Sequence, residues 1–467
     1  MNIKVISDEV IKPSIATPKH LHTLSASLLD HLNLPILFPG IFFYSQNNAT
    51  NISTNKMLDQ LKESLSKTLT VFYPLSGRIE DTNHFNCNDK GVPYVRAMVD
   101  KRLEEVVHKV DVSELDKLLP SYGQERSTTN LLLTIQVNTF ACGGIAIGLK
   151  MSHAISDAFS MVMFVNAWAS MTNNNGKNHK KLPIYPNFGI SKHFPLHDIL
   201  YSKANVQNTC NPINNRPIAK WFLFEEGKIH ILRSKLSSYT NTCTSNKDGD
   251  GTEISVPSFA MVLAAFVWCR IKVACYNSAI EIPNIVIQAV NIRSRLSLPD
   301  EQSYYFGNVF VNTVAKLSNV VPNDENYLNE TLMSDFLKQT KESIARINEE
   351  DGFVRRLQEG KIEDLRSIKE HFERESKGEI VLLAFSNVRN LPMYEADFGW
   401  GKPVWVTSAT RMFKNMVQLM PASSTSKDIV VYINLSHENM EKLLADSDFN
   451  SLVSKLPHVK TVTNSRL

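Results

Sequence analysis

The 467-residue sequence holds no run approaching the roughly 18 apolar residues that a membrane-spanning helix needs, so no membrane partner is expected. Met1 to Lys12 lacks the continuous apolar core of a secretory signal, which makes a cytoplasmic location the expectation. Sequons such as Asn48-Ala49-Thr50 and Asn434-Leu435-Ser436 then read as chance matches. An excess of one charge is missing too: 50 Lys and Arg face 47 Asp and Glu, a formal charge of +3. Nothing resembles a basic stripe for a phosphate backbone, and nucleic acid is not an expected partner. The densest basic cluster, Lys177, His179, Lys180 and Lys181, follows an Asn-rich stretch and reads as a solvated loop.

Six cysteines (Cys87, Cys142, Cys210, Cys243, Cys269 and Cys275) form neither a C-x-x-C pair nor a zinc-ligand spacing. A reducing compartment fits this usage, and no metal is expected. G-x-S-x-G is absent, so a serine hydrolase would have no nucleophile elbow. No fixed-period repeat or low-complexity tract points to a solenoid.

What is present is ordinary globular text, 43% apolar and 21% charged. Its length exceeds the roughly 250 to 300 residues at which a single core stops growing, so two domains are expected. Strand-like and helix-like stretches interleave, as in layered α/β proteins. Leu58, Leu61, Leu65 and Leu69 recur every three to four residues and predict a one-face helix over Met57 to Leu69. Alternation at Leu133, Ile135 and Val137, and again from Ile145 to Met151, predicts two strands joined through Gly143-Gly144. A helix follows from Ala158 to Met171, with Ser156 or Asp157 placed to cap it.

From about Met171 to Pro217 the text turns rich in Asn, Pro, His and Lys and marks a crossover between halves. The expected organisation is a first domain over 1–175, a crossover over 176–217 and a second domain over 218–467. In the second half, Ser258 to Tyr276 reads as a buried helix and Ile285 to Val290 as a buried strand. Asn329 to Asn348 and Ile362 to Arg374 read as exposed helices. Ile380 to Phe385, Val404 to Val406 and Ile429 to Ile433 read as strands, and Ser436 opens a last helix.

Two segments carry candidate chemistry. Met151-Ser152-His153-Ala154-Ile155-Ser156-Asp157 puts one His where a strand ends, a position from which a side chain can project into a cleft. Neutral imidazole, with an ordinary pKa near 6.5, accepts a proton from a hydroxyl at physiological pH. A lone His is more often a satisfied structural residue, and Asp157 has a bland reading as a helix cap. Far downstream, Asp397-Phe398-Gly399-Trp400-Gly401-Lys402-Pro403 crowds glycines and aromatics, as an unusual turn before a strand requires.

An H-x-x-x-D segment at one third of the chain, followed by D-F-G-W-G near its end, resembles the BAHD acyltransferase family. Phe72-Tyr73-Pro74-Leu75-Ser76-Gly77-Arg78, Asn291-Ile292-Arg293-Ser294-Arg295 and Tyr305-Phe306-Gly307-Asn308 extend the resemblance over nearly the whole chain. The text is most similar to the branch of alkaloid O-acetyltransferases and acylsugar acyltransferases. The resemblance implies two similar α/β domains of the chloramphenicol acetyltransferase type, with mixed sheets, a long crossover loop and a solvent channel between them. A piece near 398–424 would pack onto the first domain.

By the same resemblance an acyl-CoA donor and a small-molecule hydroxyl acceptor would reach His153 from opposite mouths of the channel. Transfer would be direct, with no further cofactor, in a chain that acts as a monomer. The donated group would be acetyl or another short acyl, and the acceptor a plant alkaloid, terpenoid or sugar ester. Asp157 would pair with Arg293 to hold the His153 loop. Asp397 is named beside His153 as catalytic in such enzymes, although its motif lies away from the reacting atoms and also reads as structural. Where many members carry Ser-Trp before D-F-G-W-G, this chain has Ser386-Asn387-Val388, leaving Ser386 or main-chain N–H groups to meet the oxyanion. Ala158 stands where a glycine often follows the motif Asp. The readings kept beside transfer are an inactive binding protein of this fold and an ester hydrolase.

Overall fold

Two six-stranded mixed sheets organise the chain, each covered by helices. The computed structural model describes residues 1–33, 36–46, 53–108, 111–122, 130–173, 185–196, 217–243, 257–275, 282–296, 304–318, 325–347, 352–361, 363–409 and 414–454. The basic cluster at Lys177 to Lys181, the Asn48 sequon and most of the expected crossover lie outside these residues.

In chain order the longer strands are β1 (Ile3–Ile11), β2 (Leu37–Tyr44), β3 (Val92–Val99), β4 (Leu133–Phe140), β5 (Ile145–Ser152) and β6 (Ile218–Phe224). They continue with β7 (Asn284–Asn291), β8 (Phe310–Leu317), β9 (Val381–Asn387), β10 (Trp405–Thr407), β11 (Met416–Pro421) and β12 (Ile429–Leu435). The first sheet runs β1-β3-β4-β5-β2-β10 and the second β8-β7-β9-β11-β12-β6. Each mixes parallel and antiparallel neighbours: β3 is parallel to β4, and β9 is parallel to both β7 and β11. The α/β class with two mixed sheets matches the expectation.

The main helices are α1 (Thr54–Val71), α2 (Ala158–Asn173), α3 (Glu226–Cys243), α4 (Phe259–Cys275), α5 (Glu325–Ala345), α6 (Glu363–Ser376) and α7 (His437–Ala445). The Ser53 hydroxyl caps α1 by accepting from Lys56 N–H, and Leu58, Leu61, Leu65 and Leu69 are buried as its period predicts. Burial of each such leucine stabilises by about 1.5 to 3 kcal/mol. Their partner is α2, whose Trp168 Nε1 donates to the Leu61 carbonyl at 3.1 Å. Gly143, at φ 80°, turns β4 into β5 in a conformation that costs a side-chain residue more.

In the second half α4 is buried nearly all round, and its Arg270 is neutralised by Asp446 and Asp448. The expectation of an exposed helix near Asn329 is corrected. Leu332, Met333, Phe336, Thr340 and Ser343 of α5 are buried, a stripe at spacings of three and four that faces α4 and β8. Asn434 is likewise buried within β12, where a glycan has no room.

Strands at one edge of the second sheet reach the core of the first. Ala219, Trp221, Met420, Val430 and Tyr432 of the second sheet join the core built on the first, and Trp221 Nε1 donates to Thr407 Oγ1 at 2.9 Å. Of the segment 398–424, β10 pairs with β2 in the first sheet, whereas β11 lies between β9 and β12 in the second. The piece that crosses over is therefore narrower than 398–424. Among the described residues no helix is long and apolar enough to cross a membrane.

Candidate active site

β5 ends at Ser152, and the chain turns once before α2 begins at Ala158. The turn is closed by the Ser156 hydroxyl donating to the Ser152 carbonyl at 2.7 Å and by His153 N–H donating to the Ile36 carbonyl at 2.8 Å. His153 is thus fixed at the edge of the first sheet with its ring half-buried. Phe38 of β2 flanks the ring at 4.8 Å between centroids, and Phe310, the first residue of β8, flanks it at 5.9 Å from the second half.

Asn308 makes the decisive polar contact. Its side-chain nitrogen donates to the His153 carbonyl at 2.8 Å, and its Oδ1 lies 3.0 Å from His153 Nδ1. A carbonyl only accepts, so that contact fixes which end of the amide is nitrogen. Oδ1 must then accept from Nδ1–H, which leaves the Nε2 lone pair free. Burial pushes the imidazole below the usual histidine value, against the opposing Asp157 charge and the Asn308 hydrogen bond. Burial therefore favours the neutral imidazole at physiological pH. Asn308 belongs to a quoted motif, yet sequence reasoning gave it no role.

Asp157 points away from the imidazole into a buried cluster. Its two oxygens accept from Arg293 at 2.7 and 3.1 Å, from Ser160 N–H at 2.8 Å and from Val309 N–H at 3.1 Å. It caps α2 and pairs with Arg293 at once. Burial alone would raise its carboxyl, but the Arg293 charge and hydrogen bonds outweigh this and hold it below the usual range. Arg293 also donates to the carbonyls of Tyr305 and Gly307, each at 3.0 Å, and its guanidinium lies 4.3 Å over the Phe159 ring. The pair stitches the loop after β5 to the chain entering β8.

Asp397 is not brought to this place. Its Oδ1 accepts from Gly399 N–H at 2.8 Å and Gly401 N–H at 3.0 Å, closing a turn whose glycines adopt φ of 99° and 114°. Phe398 packs edge-on against Trp168 and Tyr44, and the Tyr44 hydroxyl donates to the Ala396 carbonyl at 3.0 Å.

Ser386 lies near the end of β9, half-buried. It is in register with Ala289, which in turn faces Asn312 of β8, and on its other side with Gln418 of β11. Residues in register share a sheet face, so Ser386 is on the same face as Asn312 and, two residues along β8, Phe310, which flanks His153. Among the described residues no group of three or more His, Cys, Asp or Glu side chains is placed to hold a metal ion.

Residues 1–450 match the Transferase family. Stemmadenine O-acetyltransferase of Catharanthus roseus is 31% identical over 97% of this chain and 98% of its own length. Limonoid 1-O-acetyltransferase of Citrus sinensis is 30% identical over 96% of this chain and 97% of its own. Vinorine synthase of Rauvolfia serpentina is 30% identical over 95% of this chain and 98% of its own. The crystal structure of vinorine synthase matches the fold with a TM-score of 0.76 at 28% identity, covering 98% of this chain and 100% of that one. With both sheets, the whole length and these relatives in agreement, the chain belongs to the Transferase family of BAHD acyl-CoA-dependent acyltransferases.

Proposed function

We propose that this acyltransferase moves an acetyl or other short acyl group from coenzyme A to a hydroxyl of a plant alkaloid, terpenoid or sugar ester, with His153 as general base. One observation carries the reading: a neutral imidazole, its Nδ1 engaged and Nε2 free, stands where the two halves meet. Nε2 takes the proton of the acceptor hydroxyl as its oxygen attacks the thioester carbonyl. The tetrahedral oxyanion collapses, the carbon–sulfur bond breaks, and the imidazolium returns the proton to the leaving thiolate. No acyl-enzyme forms. Such base help contributes about 10² to 10⁴-fold, and holding two substrates together adds on the order of 7 to 11 kcal/mol.

For the oxyanion, Ser386 supplies a hydroxyl from the sheet face that Phe310 and Asn312 share. For the donor, a cavity of about 340 Å³ beside the start of α4 gathers Arg389 and Lys427 with Ser423, Ser424 and Ser426. Arg389, Lys427 and the three hydroxyls are the groups that would meet the phosphates of coenzyme A; the carboxylates that also line the cavity are engaged elsewhere, Glu395 with Lys402 and Asp428 with Glu226 N–H. Asp157 and Arg293 hold the catalytic loop, and Asp397 shapes a distant turn. Acetyl is favoured because the relatives are named as O-acetyltransferases of an alkaloid and a limonoid. One chain supplies both faces of the site, so a monomer suffices, and the unpaired thiols of Cys87, Cys142, Cys269 and Cys275 fit the cytoplasm.

The test is a panel of acyl-CoA donors against plant hydroxyl compounds, following free thiol and ester product. Thiol release that needs an acceptor supports transfer. Thiol release without acceptor would mean hydrolysis, and binding without turnover an inactive relative, either of which overturns the proposal.

A further inference from the structure

We infer that Asp30, outside every quoted motif, is a positioning residue for the base: through Asn308 it sets which nitrogen of His153 carries the proton. The inference rests on the proposed role of His153 and deepens it.

Asp30 lies in a short helix, Leu28–His31, and is buried with 7% of its surface exposed. Oδ2 performs a local task, accepting from Ser27 N–H at 2.8 Å and Ser27 Oγ at 2.7 Å, while Asp30 N–H donates back to Ser27 Oγ. That closes a capping box and would explain the residue if Oδ2 were its only engaged oxygen. Oδ1 does something the cap does not need. It accepts from the Asn308 side-chain nitrogen at 2.8 Å and from Asn308 N–H at 3.3 Å, across 278 residues of sequence.

The Asn308 nitrogen therefore lies between two atoms that only accept, the Asp30 carboxylate and the His153 carbonyl. Rotating the amide by half a turn would set its oxygen against both. With the amide locked, Oδ1 accepts from His153 Nδ1–H, and Nε2 keeps its lone pair. Four donors converge on Asp30 and favour its carboxylate form, while burial raises its pKa and outweighs those hydrogen bonds. The other charged or titratable groups nearby are His31, next to Asp30, and Asp157 with its Arg293 partner. Asp157 accepts from Arg293, Ser160 and Val309, so among the side chains the contact with His153 Nδ1 falls to Asn308, beside the main-chain groups of His153 and Ser156 that also hydrogen-bond the ring.

Asp30→Asn tests the chain of contacts by its polarity. Ser27 N–H still demands an acceptor, so the new amide turns its nitrogen toward Asn308, donor against donor. Asn308 then meets one mismatch in either orientation, with the new amide nitrogen as it stands or with the His153 carbonyl once flipped, so the lock is lost and the flipped amide becomes populated; its nitrogen faces Nδ1 and favours the Nε2–H tautomer, which cannot accept a proton. A carboxylate directly on a catalytic imidazole is worth about 10⁴-fold, and outer partners about 10 to 100-fold; Asp30 acts one residue removed, so a fall in kcat of about 10 to 100-fold with little change in KM is expected.

The readout is ¹⁵N NMR of histidine-labelled protein at a pH where His153 is neutral, its signal assigned by loss in His153→Ala. The wild type should show Nδ1–H, and Asp30→Asn should gain Nε2–H. A wild-type signal dominated by Nε2–H would overturn the inference without any variant having to fold. So would a folded Asp30→Asn protein whose tautomer is unchanged, whether its kcat falls or not. Wild-type turnover in His153→Ala, by contrast, would remove the base itself and leave the tautomer assignment standing.

Discussion

His153 and Asp397 stand at opposite ends of one helix. His153 precedes α2, whereas a side-chain carbon placed on Gly399, two residues after Asp397, would lie 3.4 Å from Asn173 at its far end. With 16 residues at 1.5 Å each, α2 is roughly 24 Å long. A second ruler agrees: Phe38 touches His153 and Tyr44 touches Ala396, six strand residues or about 20 Å apart. A carboxylate at that distance exchanges no proton with the imidazole, and its screened charge acts on it weakly.

Asp397→Asn should therefore leave kcat near the wild-type value, because the amide oxygen still accepts from Gly399 and Gly401. Asp397→Ala should lower stability by about 1 to 3 kcal/mol through the orphaned turn donors, with turnover per folded molecule retained. Thermal melts beside steady-state kinetics check both. A hundredfold loss of turnover in a normally melting Asp397→Asn protein would restore it to the chemistry.

How much of this was legible in the sequence depends on the reach of each signal. The leucine period of α1, the strand pair around Gly143 and the His at the end of β5 are local patterns, and they appear as the spacing predicts. Asn308 meets His153 across 155 residues and Asp30 meets Asn308 across 278, and no local period encodes such a meeting. β8 escaped because its buried face carries Thr313 between Val311 and Ala315, while Phe310 and Val314 are only half-buried, which blurs the alternation. The placement of Trp405 in the first sheet depends on Phe43, 5.0 Å away, and only the family resemblance anticipated it.

Replacing His153 with Ala should cut kcat by about 10² to 10⁴-fold while melting and CoA binding persist, since the loop is held by Ser152, Ile36 and Asp157 contacts rather than by the ring. Calorimetric titration with CoA separates lost chemistry from lost folding. Near wild-type turnover in the folded variant would sink the base assignment.

The pH profile follows from the lowered imidazole pKa. Protonation occupies Nε2, so kcat/KM should rise with pH through the folded pKa, which lies below about 6.5, and be level at neutrality. Stability has the same sign there: the unfolded chain protonates first as pH falls below about 6.5, so stability drops until the folded pKa is passed. Asp157 acts at lower pH. Its depressed carboxyl contributes fully above about 3.8, and that contribution is lost as pH falls through the folded value. An acid limb in kcat/KM centred above 6.5 would contradict the desolvated, Asn308-bonded imidazole.

The Asp157–Arg293 pair allows the sharpest separation of architecture from chemistry. Asp157→Asn keeps an oxygen for Ser160 N–H, so a cap-only role predicts little change. Breaking a buried ion pair from one side instead costs about 3 to 5 kcal/mol, because the Arg293 guanidinium stays buried with no anion. Arg293→Met should cost at least as much, since Asp157 is stranded and the carbonyls of Tyr305 and Gly307 lose a donor. The double variant should lose less than the two single losses combined, with a coupling of about 0.5 to 3 kcal/mol in chemical denaturation. Activity should track the folded fraction throughout. If Asp157→Asn melted like the wild type and yet turned over as slowly as His153→Ala, the carboxylate would be acting on the imidazole itself, and the architectural role assigned to this pair would be wrong.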